Sequence, residues 1–203
     1  MKKVFLLVIC FFTLVVNAQE KKSGLALELG IGTSNYGNMS PISIFTDPTA
    51  GYNLIASEYI SVGYCNNGWF VGLTLDYDGG NTSFQNLNEK FFNINTMVDI
   101  RRYFKLNDMF ELEAGLALGL LVHNNFFDYA NEYYSYSRYG ASGYAYMGLN
   151  YNLAPNRYIG IHVRYPYMGS FLDSKPTLPI GLEANNNTQM VGYSLQLSYG
   201  IKF

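Results

Sequence analysis

Charge is scarce in this sequence. Asp, Glu, Lys and Arg make up 14% of it, against about 25% in an ordinary soluble domain. A water-exposed surface for a chain of this length would be under-supplied. Histidine is limited to His123 and His162. Two imidazoles, with no Cys or carboxylate set at zinc spacing, exclude a zinc centre, and nothing calls for a cofactor. Cysteine is limited to Cys10 and Cys65, too few for an internal disulfide framework once the leader described below is removed. The 13 basic residues do not outnumber the 15 acidic ones, which excludes a nucleic-acid face. Beyond residue 18, no apolar run approaches the ~20 residues of a membrane helix. Yet 49% of the chain is hydrophobic, so the apolar residues must be distributed in some other pattern.

The first eighteen residues stand apart. Lys2 and Lys3 form a positive start, residues 4–16 are almost wholly apolar, and Val16-Asn17-Ala18 suits signal peptidase. This predicts a cleaved export signal over 1–18. The segment is too short for a membrane helix and has no stop-transfer flank. Cys10 sits too early for lipidation and follows Leu7-Val8-Ile9, with no small residue before it. Removing Lys2 and Lys3 takes the formal charge from −2 to −4. Residues 19–203 then form one domain with no internal linker.

The pattern that organises this domain is plainest over 188–203. Val191, Tyr193, Leu195, Leu197, Tyr199, Ile201 and Phe203 alternate with Gly192, Ser194, Gln196, Ser198, Gly200 and Lys202. A period of two puts one side of a strand against an apolar medium. The run exceeds ordinary soluble strand length. The same alternation recurs upstream. Leu25 to Ile31 alternate with Gly24 to Gly32, and a weaker second strand carries Ile60, Val62 and Tyr64. A third has Trp69 to Tyr77 on the odd positions. Ile94 to Ile100, Phe110 to Leu120, Ala145 to Tyr151 and Ile159 to Tyr165 mark four more. Cys65-Asn66-Asn67-Gly68 reads as a tight turn between the second and third strands, with Cys65 in it. Lys105–Asp108 and Pro155-Asn156 read as the other short turns. The segments around Pro41 and Pro48, 78–91, 123–140 and 166–187 read as long polar loops.

Long and short connections therefore alternate, with all long loops at one end and both termini at the other. The fold class predicted is all-β: an eight-stranded antiparallel up-and-down transmembrane barrel. A soluble barrel of eight strands would turn its apolar face inward and expose Lys, Glu and Thr. Here the other face carries Gly, Ala, Ser and Asn with few charges, which suits a narrow, filled lumen. Pairing Tyr64 with Trp69 and Phe104 with Phe110 across the short turns would place outward rings near that end, level with Tyr151 and Phe203. Such a belt suits a membrane interface.

The chain resembles the small eight-stranded outer-membrane barrels of the OmpA and OmpX type. The resemblance is one of architecture across nearly the whole domain. Its one motif is the closing strand, where Tyr199, Ile201 and Phe203 alternate; it is similar to the signal read by the barrel-assembly machinery. The resemblance implies residence in the bacterial outer membrane, contact with its lipid, and no enzymatic activity. A lipid-acyl hydrolase or transferase and a narrow channel are the alternatives.

The candidate residues fall into three groups. Glu28, Asp76, Asp99, Arg101, Glu111, Glu113, His162, Arg164 and Lys202 share the lumen face. The Glu111/Glu113 pair could serve acid–base work, but with Arg101 and Arg164 on the same face mutual neutralisation is the better use. The register set by Phe104 opposite Phe110 brings Arg101 opposite Glu113 and Tyr103 opposite Glu111. His123, with Asp128 and Ser135 near in sequence, is the only sketch of a hydrolytic triad. The third group lies in 123–140. Phe126, Phe127, Tyr129, Tyr133, Tyr134, Tyr136 and Tyr139 crowd one expected outer loop, where rings suit contact with a sugar or a protein surface, or form the outer girdle and strand extensions.

Overall fold

The computed structural model describes residues 23–36, 55–84, 87–129, 132–171 and 187–203. The leader expected over 1–18 lies outside them, as do 37–54 and 172–186, which hold most of the first and last expected loops. The strands are β1 (Gly24–Tyr36), β2 (Ile55–Asn66), β3 (Trp69–Phe84), β4 (Leu87–Lys105), β5 (Phe110–Tyr129), β6 (Glu132–Ala154), β7 (Arg157–Phe171) and β8 (Asn187–Lys202). Each pairs antiparallel with its sequence neighbour, and β1 pairs with β8 to close the barrel. Closure leaves no edge strand, so the backbone N–H and C=O groups within the ring find partners without water.

The period of two sets the faces. Leu116, Leu118 and Leu120 on β5 point outward and are 61%, 71% and 72% exposed, while Glu113 on the same strand is fully buried. Leu25, Ile31, Leu73, Ile161 and Leu197 continue the exposed apolar belt around the ring. A belt of this size has no place in water and requires lipid. The outward run on β5 extends from Phe110 to Val122. At about 3.3 Å per residue and a tilt near 45° it covers about 28 Å of height, the thickness of a bilayer core. The barrel is therefore inside-out relative to a soluble one.

Both short turns expected before β3 and β5 are present, each with a register two residues away from the expected one. Asn67 and Gly68 both have positive φ, 50° and 73°, as a two-residue type I′ hairpin needs. This pairs Asn66 with Trp69 and Tyr64 with Val71, not Tyr64 with Trp69. It also places Cys65 within β2, buried on the inner side, rather than in the turn. At the β4–β5 turn, Asn107 Oδ1 accepts from the N–H groups of Met109 and Phe110 at 2.8 and 2.9 Å. Leu106 N–H donates to the Phe110 carbonyl at 2.9 Å. The turn thus takes in Leu106 and Met109, and Phe104 pairs with Leu112, Tyr103 with Glu113, and Arg101 with Gly115. A shift of two preserves which face each residue occupies. Phe104 keeps outward parity but is only 7% exposed, with the Arg102 guanidinium over its ring.

The strands run further than the alternation implied. Residues 78–91 and 123–140 are mostly strand: β3 and β4 pair out to Phe84↔Leu87, and β5 and β6 out to Tyr129↔Glu132. Likewise β7 continues through Pro166 to Phe171. Proline has no N–H for a ladder, and the β7–β8 pairing skips from Arg164↔Ser194 to Tyr167↔Val191.

Candidate functional site

The lumen is organised around Arg101 on β4. Its Nη1 lies 2.5 Å from Glu28 Oε1 and 3.2 Å from Glu113 Oε1; its Nη2 lies 2.7 Å from Asp99 Oδ2. The guanidinium also covers the Phe70 ring at 4.5 Å. One cation thus faces three carboxylates, and neutral donors complete them. Tyr59 and Tyr158 donate to Glu28 at 2.7 and 2.5 Å. Thr74 and Tyr146 donate to Asp99 at 2.8 and 3.1 Å. Asn150 Nδ2 donates to Glu113 at 2.7 Å, and His162 Nε2 sits 3.5 Å from the same oxygen. All six carboxylate oxygens have a partner, which is what permits them to stay buried.

The glycines of the lumen face make room for these side chains. A Cβ on Gly30 would fall 1.9 Å from the Tyr59 ring, and one on Gly148 would fall 2.1 Å from His162 Cδ2. Each ring lies over a glycine on an adjacent strand, so the small residues of one strand receive the large ones of the next.

The other expected lumen charges form their own ion pairs beside this cluster. Glu111 pairs with Lys202 at 2.8 Å near the short-turn end, and Lys202 Nζ also lies 4.0 Å from the Tyr103 ring centre. Beside them a cavity of about 390 Å³ opens at that mouth, lined in part by Cys65, Tyr158 and Arg157. Arg164 pairs with Asp76 at 2.8 Å and stacks on Tyr59 and Tyr144 at 3.8 and 4.5 Å. Above that pair, Tyr36, Ile55, Phe91, Leu121, Met168 and Met190 form a buried apolar layer across the lumen. Sequence reasoning missed this layer, along with Tyr59, Tyr158 and Asp78. Tyr59 was readable from the parity of Ile60 and Val62. Asp78, which accepts from Tyr36 at 2.7 Å and Ser34 at 3.2 Å, was hidden inside an expected loop.

Glu28, Glu113 and His162 offer ligand atoms within 4.8 Å of one another. Arg101 Nη1 already contacts both carboxylates. It supplies the positive charge a metal would bring, so the trio is an ion-pair cluster.

The triad sketched at the distal end is not assembled. His123 points inward, is 1% exposed and bonds Asn93 Oδ1 through Nδ1 at 2.5 Å. Asp128 and Ser135 are exposed on the other face of the same hairpin. Residues five and twelve positions from His123 in sequence are separated from it by the wall of the sheet.

The seven aromatic residues of this region are divided by the same wall. Phe127 and Tyr136 lie inward, buried, with ring centres 6.2 Å apart, and Tyr134 stacks on Phe127 at 5.2 Å. Arg138, Asn125 and Glu89 fill the space beneath them: Asn125 Nδ2 reaches Glu89 at 2.7 Å and the Tyr136 hydroxyl at 3.0 Å. Phe126, Tyr133 and Tyr139 lie outward. Tyr129 ends β5, and its side chain lies outside the described residues. At the tip, Glu132 accepts from the Tyr134 hydroxyl, which holds that phenol above its ordinary pKa. Just above Val122 and Tyr139 the outer face turns from wholly apolar to mixed, with Ser137 Oγ donating to Asn124 Oδ1 at 2.6 Å below the outward rings of Phe126 and Tyr133. The β5–β6 hairpin therefore leaves the apolar belt and continues as paired sheet.

The sequence matches no protein-family model and no curated relative. Solved structures do match. Neisserial surface protein A is 16% identical, with a TM-score of 0.55 over 91% of this chain and all of that one. The outer-membrane protein OprG from Pseudomonas aeruginosa is 15% identical, with a TM-score of 0.50 over 91% of this chain and 97% of that one. With the closed ring, the apolar exterior and the charged interior already described, these likenesses establish that the chain has the fold of the small bacterial outer-membrane β-barrels.

Proposed function

We propose that the protein is a non-enzymatic integral component of the bacterial outer membrane, a closed rigid barrel that holds hairpin projections outside the cell for contact with a surface. The observation that carries this reading is the paired continuation of β5 and β6 past the apolar belt, out to Tyr129↔Glu132. Its inner side is packed by Phe127 and Tyr136, and its outer side is polar at Asn124, Ser135 and Ser137. A projection of this kind is stiff, water-compatible and free of the constraints that lipid places on the wall. The leader over 1–18 serves export, and the closing strand with Tyr199, Ile201 and Phe203 serves recognition by the assembly machinery. Both belong to the same proposal.

The hydrolase reading lacks a triad, because His123 faces away from Asp128 and Ser135. The channel reading meets the apolar layer of Phe91, Leu121 and Met168. The test is to replace residues 124–137 with an Asn-Gly turn and to assay cells on immobilised glycans and matrix proteins. The shortened protein is expected to remain a heat-modifiable barrel in detergent gels and to lose whatever surface adhesion the wild type confers. Adhesion unchanged by the replacement would refute the reading.

A further inference from the structure

One feature of the outer wall is not used by the barrel. Tyr77, Phe92, Phe126 and Tyr133 come from four successive strands, β3 to β6, and form a row of rings. Successive centres lie 6.1, 5.4 and 6.2 Å apart, and the planes differ by only 24°, 20° and 28°. Each step is diagonal in the register. Tyr77 is level with Ile94 and Val122, Phe92 with Asn124, and Phe126 with Ser135 and Lys90. The row therefore begins at the top of the apolar belt and climbs past the level where its neighbours turn polar. From Val122 to Asp128 is six residues, about 20 Å of strand and about 14 Å of height at a 45° tilt. The rings remain accessible along the way, Tyr77 at 43% and Tyr133 at 65%.

A row of apolar rings above the belt needs an occupant, and its position specifies one. It is continuous with the lipid-facing surface, so what lies against it is the headgroup layer of the outer leaflet. The flanking groups are neutral amides and hydroxyls, Asn124, Ser135 and Ser137. Above the belt, Lys90 is the single cation on the outer side of these hairpins among the described residues, with Asp128 on the same side and Glu132 at the tip. That balance does not suit a phosphate-rich ligand. It suits sugar rings, whose C–H faces pack on aromatic faces while their hydroxyls meet amides and serines. We propose that the Tyr77–Phe92–Phe126–Tyr133 row binds the saccharide portion of the glycolipid around the barrel, and that the hairpin is thereby held upright in the headgroup layer. This rests on the outer-membrane placement proposed above, but not on any external adhesion partner.

The probe is the core oligosaccharide released from rough-type lipopolysaccharide, titrated into the full-length protein in detergent micelles and read by saturation transfer from aromatic protons to sugar protons. A second arm uses lipid A, which keeps the phosphates and acyl chains and lacks the core. Wild type is expected to transfer to the core sugar. The Phe126→Leu/Tyr133→Leu variant keeps apolar volume, is checked for heat-modifiable mobility, and is expected to bind the core about tenfold more weakly, as the loss of ring stacking implies. No transfer to the core, equal affinity in the variant, or binding of lipid A alone would overturn the proposal. So would a ring-dependent dimer in sedimentation, which would assign the row to a second copy of the chain. Adhesion by intact cells is a separate readout, so its failure and the failure of this proposal can be told apart.

Discussion

Arg101 and Glu113 are bonded but not paired. In the β4–β5 ladder Arg101 lies opposite Gly115, and Glu113 lies opposite Tyr103. The guanidinium reaches one step along the strand to bring Nη1 within 3.2 Å of Glu113 Oε1, while Glu28 holds the same nitrogen at 2.5 Å. The space over Gly115 is taken by the Tyr146 ring, 2.6 Å from where a Cβ would lie, and the guanidinium faces that ring at 5.6 Å. The diagonal contact with Glu113 ties β1, β4 and β5 together through one cation.

Removing that cation strands three buried carboxylates. Arg101→Met is expected to destabilise the folded barrel by roughly 3–5 kcal/mol, the range for breaking a buried ion pair from one side. Urea unfolding in lipid vesicles, followed by Trp69 fluorescence, measures it. Pairing the change with Glu28→Gln and Glu113→Gln is expected to recover part of the loss, because fewer lone charges remain. An unchanged midpoint for Arg101→Met would mean that the lumen charges are not coupled as described.

Gly148→Ala places a methyl 2.1 Å from His162 Cδ2. The imidazole must move off Glu113 and Asn150, and the expected cost is about 1–3 kcal/mol. Gly169→Ala is the control, since nothing lies within 4 Å of its Cβ position, and a shift within about 0.5 kcal/mol is expected. The same unfolding assay compares the two. Equal effects would indicate that crowding over the lumen glycines does not govern stability.

The lumen should not conduct. Eight strands leave room only for side chains. The described lumen is crossed by the Arg101 cluster, by Arg164 between Tyr59 and Tyr144, and by the apolar layer of Tyr36, Ile55, Phe91, Leu121, Met168 and Met190. Purified protein in planar bilayers is expected to show no stable unitary current. Reproducible steps of fixed size would contradict a filled interior.

What could be read from the sequence follows from what lipid enforces. Within the belt, a residue is either against acyl chains or inside, so Leu116, Ala117 and Leu118 announce their faces without any knowledge of partners. Register is a different matter. A slide of two residues leaves every face unchanged, so alternation could not distinguish Phe104 opposite Phe110 from Phe104 opposite Leu112. That choice is made by Asn107, whose side chain folds the turn back on Met109 and Phe110. Above the belt the signal fades altogether. Asn124 and Asn125, or Tyr136 and Ser137, sit on opposite faces yet are all compatible with water, so a real strand there reads as a polar loop. The same fading hid the division of the 126–139 rings between an inner cap and an outer row. It also made His123, Asp128 and Ser135 look like neighbours.

The most direct test is a nitroxide scan of the β5–β6 hairpin in lipid vesicles, on a Cys65→Ser background. Single labels go at 116, 117, 118, 120, 121, 124 and 137, and collisions are measured with oxygen, which partitions into lipid, and with a water-soluble nickel complex. Oxygen access is expected to be high at 116, 118 and 120 and low at 117 and 121. The nickel complex is expected to dominate at 124 and 137, where the paired strands stand clear of the belt. Oxygen access that peaks at 117 and 121 would put the apolar face inside, and oxygen dominance at 124 and 137 would bury the hairpin in the bilayer; either result would contradict an inside-out barrel with a projecting sheet.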